Sequence, residues 1–194
     1  MGCKLGKLAR SGGGGGAGGT SKQEEPPPPA PCDPRLPLTA RQKYNIAASW
    51  KGISRAMEST GVLMFLKLFE EHAELLELFE KFRDMRTKED QANSLELAEH
   101  AGTVMNTLDE GIRGMSSENL DSFFDYLHQI GASHRKIPGF HVEYFWKIEK
   151  PFLEAVKTTL GDRYTENVEN IYQITIKFMI ETLVTGYNNA NAGA

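Results

Sequence analysis

The chain has 194 residues, a formal net charge of −4, 40% hydrophobic side chains and 25% charged ones. Removing the five bases and three acids of the first 38 residues leaves 17 basic and 23 acidic groups, so the remainder carries −6 and lacks the clustered cations that a nucleic-acid backbone requires. The two cysteines, Cys3 and Cys32, both precede the apolar part, which excludes a disulfide-stapled core and a Cys-x-x-Cys-His attachment and fits a reducing cytosolic setting.

The first ten residues read Met-Gly-Cys-Lys-Leu-Gly-Lys-Leu-Ala-Arg. Gly2 is a candidate for myristoylation and Cys3 for a second acyl chain, although Gly6 departs from the usual Ser or Thr of that pattern. Lys4, Lys7 and Arg10 add a cationic patch, and two chains, or one chain with basic residues, hold a protein at an anionic leaflet. The expected location is the cytoplasmic face of the plasma membrane; the alternative is a cytoplasmic protein whose disordered tail happens to begin this way. Behind this start, Gly12 to Gly16, Gly18 and Gly19 precede Pro26 to Pro29, Pro31, Pro34 and Pro37. Such a composition buries too little to offset the entropy of ordering, so residues 1–38 are expected to be a disordered Gly/Pro-rich tether.

From residue 39 the apolar residues recur at intervals of three and four, and no stretch alternates as a half-buried strand does, so residues 39–188 read as one all-α domain and 189–194 as a flexible end. Thr39 caps a first helix carrying Tyr44, Ala47 and Trp50 and ending near Met57. A second begins around Ser59 or Thr60, with Leu63, Leu66, Phe69 and His72 on a stripe, and leads into an aromatic corner of Leu75, Leu76, Phe79 and Phe82. A polar loop from Arg83 to about Gln91 precedes a helix through Leu97, His100, Val104, Leu108 and Ile112, broken at Gly111 and Gly114. Ser116 or Ser117 with Asp121 opens the next helix, which Pro138 and Gly139 stop after His134. Two long helices close the chain, Val142 to about Leu160, kinked or short of one bond at Pro151, and Thr165 to about Tyr187. No apolar run reaches the roughly 18 residues that span a bilayer; the best, Ile171 to Val184, is broken by Lys177 and Glu181.

His134 closes the stripe Leu120, Phe123, Leu127, Ile130, and His100 sits on an apolar helix beside small Ala101 and Gly102. Two imidazoles facing one apolar space suit a flat, greasy cofactor with a metal at its centre, and haem is the candidate. A helix-end histidine at a favourable dipole, or a lone histidine satisfied within a core, is the plainer reading of each taken alone. His128 is a rival ligand but falls between Asp125 and Gln129, off the main stripe, and His72 and His141 lack matching context and read as solvated.

These residues resemble the globins, and among them the neuroglobin and globin X branch, over about residues 39–188. The stretch from Gly61 to Phe82 is similar to the second and third globin helices without a gap, Leu97 to Val104 to the distal helix, and Ile130 to Arg135 to a neuroglobin-type proximal segment. The resemblance implies a globin fold, a helical sandwich enclosing a haem pocket. It makes His134 the proximal iron ligand, His100 the distal one, Phe79 the ring stacked on the porphyrin, and Phe65, Phe82 and Val104 pocket neighbours, with Ile137, Phe145 and Ile148 as further pocket residues. Ala73 departs from the Pro that many globins carry at that corner. The acylatable start resembles globin X.

By this resemblance the cofactor is non-covalent haem b with bis-histidyl, six-coordinate iron. The small ligands implied are O2, CO, NO or nitrite, in membrane-associated redox or gas sensing with an electron donor the sequence does not name. The rivals are haem-dependent nitrite reduction or nitric oxide dioxygenation at the same iron, and a haem-free helical adaptor.

Overall fold

The computed structural model describes residues 33–80, 83–85 and 87–190; Gly2, Cys3 and Phe82 lie outside them. Among the described residues the α-helices are, in order, α1 (Ala40–Ser54), α2 (Met57–Glu71), α3 (Lys88–Ala92), α4 (Leu95–Gly114), α5 (Leu120–Ser133), α6 (Glu149–Leu160) and α7 (Glu166–Asn189). Segments of 3-10 helix at Ala73–Leu78, His134–Lys136, Val142–Ile148 and Gly161–Arg163 turn the chain between them. None of these helices is long and apolar enough to cross a membrane.

Local chemistry sets the boundaries. Thr39 and Gln42 form a reciprocal capping box at α1, in which the Gln42 amide carbonyl accepts from the Thr39 backbone N–H at 2.9 Å. Helix α5 starts at Asn119, whose side-chain oxygen accepts from Ser122 N at 3.1 Å, rather than at Ser116 or Ser117. Those two serines instead donate backbone N–H groups to Arg113 and Gly114 and close the preceding helix. Thr87 caps α3 inside a stretch expected to be loop.

Other expectations shift. Tyr44 is 74% exposed, and the buried stripe of α1 is Ile46, Trp50 and Ile53, one turn apart each. Helix α2 begins at Met57, ahead of Ser59. Helix α4 runs unbroken through Gly111, against which the tip of Met179 packs. The expected long helix from Val142 divides at Glu149, which puts Pro151 in the first turn of α6, where an N–H has no intrahelical partner to lose.

Two layers enclose the core, α1, α4 and α5 against α2, α6 and α7. Helix α5 packs on α7, and α2 packs on α4 and α6. Among the described residues the buried side chains include one carboxylate, Asp109 on α4, 7% exposed, which accepts from Trp50 Nε1 at 2.7 Å and pairs with Arg113 Nε at 2.9 Å. A buried carboxylate is tolerable when it is so partnered. Residues 33–38, assigned above to the tether, pack onto the domain: Leu36 and Leu38 are buried, and Arg35 bonds Asp33, reaches Asp121 at 2.7 Å and lies over the Phe124 ring.

Candidate functional site

Between α4, α5 and α7 lies an apolar cavity of about 360 Å³, within the size range of small-molecule and cofactor sites. His100 enters it from the second turn of α4. His134 enters it from the 3-10 turn that follows α5, where the chain tightens before Pro138 and Gly139, the latter at φ 78°. The bottom of the cavity is formed by α7 through Ile176, Met179, Ile180 and Leu183.

The two imidazoles have different settings. The Nδ1 of His134 is 2.8 Å from the carbonyl oxygen of Ile130, and since a carbonyl only accepts, Nδ1 carries the proton and Nε2 keeps its lone pair. Phe140 and Phe145 pack on the His134 ring at 5.0 and 4.8 Å between centroids. Tyr187 of α7 supports both rings, and its hydroxyl donates to the Phe140 carbonyl at 3.2 Å. His100 meets Phe65 and Phe79 edge-on at 5.1 and 5.0 Å. Burial lowers the proton affinity of His100, and a charge on His134 would lower it further. Burial likewise lowers that of His134, opposed by the bond to Ile130. Both rings are therefore biased toward the neutral form in which imidazole donates to a metal.

Of the residues singled out from sequence, Phe65, Phe79, His100, Val104, His134, Phe145 and Ile148 line this one cavity. Ile137 does not. It follows the 3-10 turn in extended backbone and lies 36% exposed on the rim, because helical register no longer carries past Lys136. His128 lies in a separate surface depression beside Asp121, Phe124 and Arg35. His72 hydrogen-bonds Lys147 at 3.1 Å, and His141 is exposed. Phe140 and Tyr144 also line the cavity and were not anticipated: Phe140 lies in the turn between two 3-10 segments, and Tyr144 belongs to the 3-10 segment that also carries Phe145 and Ile148.

The donor set fits a metal that brings most of its own ligands. Among the described residues no group of three or more His, Cys, Asp or Glu side chains is gathered to hold a bare ion. Two neutral imidazoles on an apolar slot instead match a flat macrocycle supplying the equatorial nitrogens. At the mouth, the depression shared by Phe79, His100 and Thr103 is rimmed by Arg83 and Lys136 among four glutamates, Glu77, Glu80, Glu96 and Glu99.

Comparison with known proteins agrees with this geometry. The globin family model matches residues 62–183. Neuroglobins from Dissostichus mawsoni and Chaenocephalus aceratus are each 29% identical over 146 residues, covering 73% of this chain and 90% of theirs, as is neuroglobin-1 of Oncorhynchus mykiss. A crystal structure of a hexacoordinated haem protein from an anhydrobiotic tardigrade, solved at pH 4, superposes with a TM-score of 0.76 at 39% identity, covering 80% of this chain and 99% of that one. The fold and the cavity define a haem-binding globin. The chain belongs to the globin family, with neuroglobins among its relatives.

Proposed function

We propose that this globin holds one non-covalent haem b in the α4–α5–α7 cavity, with His134 and His100 as its two axial ligands, and binds O2 and other diatomic gases reversibly in membrane-associated redox or gas sensing. The observation that carries the reading is the pair of neutral-biased imidazoles lining one apolar cavity. Haem, when bound, would supply an iron that takes small ligands and exchanges electrons.

The protein's own groups do the rest. The Ile130 carbonyl fixes the His134 tautomer and orientation, so that Nε2 is the donor and its basicity is raised. Phe65, Val104, Phe145 and Ile148 line the slot with apolar surface that disfavours water. His100, held between Phe65 and Phe79, would compete with an incoming gas for a bound iron, and gas affinity would then fall by the fraction of time that it occupies the site. Such competition suits sensing or electron exchange better than bulk carriage. Lys136 and Arg83, the described cations at the mouth, would be available to pair with the carboxylates of a bound haem. The absence of cysteine from residues 39–194 supports non-covalent retention.

The membrane part of the proposal rests on Gly2, Cys3 and the cations Lys4, Lys7 and Arg10, which lie outside the described residues. The haem part is tested by titrating haemin into the purified haem-free chain. Saturation at one equivalent, with a sharp Soret band, supports it; a well-folded chain that takes up none ends it.

A further inference from the structure

Helices α5 and α7 touch through their backbones at two glycines. A Cβ on Gly131 would overlap the carbonyl oxygen of Leu183 and stand 3.1 Å from its Cα, and a Cβ on Gly186 would overlap the carbonyl oxygen of His128. The arrangement is reciprocal: a glycine of α5 seats on the α7 main chain, and one turn away a glycine of α7 seats on the α5 main chain. Other helical glycines differ. Gly52, Gly61, Gly111 and Gly114 meet side-chain atoms first, and Gly102 has nothing within 4 Å.

The register of this antiparallel crossing points at the site. Residue 128 faces 186 and residue 131 faces 183, so the next turn sets 134 against 180, and His134 and Ile180 both line the cavity. The close contact thus lies at the edge of the cavity, which Ile130, Ser133 and Leu183 beside it also line. His134 sits on the 3-10 turn continuous with α5 and moves with that helix. His100 belongs to α4, outside this crossing.

We propose that Gly131 and Gly186 are positioning residues for His134. Their crossing sets the depth at which its imidazole enters the cavity, and thereby whether His134 and His100 together hold one iron. This rests on the two-histidine reading above. A side chain at either glycine drives the helices apart by about 1 Å, since the obstacle is main chain in a close-packed interior that cannot give way. Metal–ligand distances tolerate only about 0.2 Å. A cofactor that follows a displaced His134 therefore leaves His100 behind, and the six-coordinate state loses to the five-coordinate one.

The test uses full-length haem-loaded protein carrying Gly131→Ala, Gly186→Ala or, as a control beside His100, Gly102→Ala. Visible spectra of the reduced proteins and the rate of carbon monoxide binding after rapid mixing are the readouts. We expect the two crossing variants to gain five-coordinate, high-spin absorption and to bind carbon monoxide at least about tenfold faster, as His100 vacates the site, while Gly102→Ala matches the native protein. Crossing variants that load haem and keep the native spectrum and rate overturn the inference. So does failure of both to fold, because the crossing would then hold the whole bundle rather than place one imidazole. A native reduced protein that is already five-coordinate defeats the two-histidine reading itself, before any variant is made.

Discussion

The proton on His134 Nδ1 is directed at the Ile130 carbonyl, 2.8 Å away and one turn back along α5, so the helix that carries the imidazole also fixes its tautomer. If this ring is the anchoring ligand, His134→Gly leaves a cavity that free imidazole can enter. The variant is expected to hold haem weakly and to recover the native Soret band when millimolar imidazole is added. Recovery by imidazole separates a lost ligand from a damaged fold; haem retention in the variant equal to the native would remove His134 from the role.

A pH dependence follows from the strap at residues 33–38. Hydrogen bonds from the Arg35 side chain and backbone hold the Asp33 carboxyl at about 2, below its ordinary 3.8. A depressed carboxyl contributes stability above its unfolded value and loses it as pH falls, so the strap's ionic hold should weaken between pH 3.8 and about 2. NMR titration of the Asp33 carboxyl carbon should show the low midpoint, returning to the ordinary carboxylate range in Arg35→Ala. An unshifted midpoint in the native chain would mean that Arg35 does not hold it in solution.

Asp109 is the buried polar joint between α1 and α4. Asp109→Ala leaves the Trp50 indole N–H and the Arg113 guanidinium without their acceptor, and an orphaned buried donor costs about 1–3 kcal/mol. Denaturant unfolding should show a loss of that order, with Trp50→Phe in the Asp109→Ala background adding less than it does in the native chain, because the two share one bond.

For the N-terminus, Gly2→Ala replaces the glycine that the myristoylation pattern requires at this start. The native protein expressed in animal cells should fractionate with membranes and the variant with the soluble fraction. An unchanged partition would end the anchor.

Much of the site was legible in sequence because it rides on strong helical periods. Leu120, Phe123, Leu127 and Ile130 lead directly to His134, and Leu97, Val104 and Leu108 flank His100. What escaped lies where periodicity stops. Phe140 joins the cavity from the turn between two 3-10 segments, whereas Ile137, one residue past the first of them, turns outward. Leu36 and Leu38 sit among prolines, so composition alone assigned them to the tether although both bury on the domain. Gly131 lies in the Ile130–Arg135 segment that carries the resemblance and Gly186 in the closing Thr-Gly-Tyr, but only the crossing of two helices distant in the chain reveals what their missing side chains permit.

The most direct test is the absorption spectrum of the reduced, ligand-free holoprotein beside that of His100→Leu. The account predicts split, low-spin visible bands for the native protein and a broad, high-spin five-coordinate spectrum for the variant. A native spectrum that is five-coordinate and unaltered by His100→Leu would contradict it.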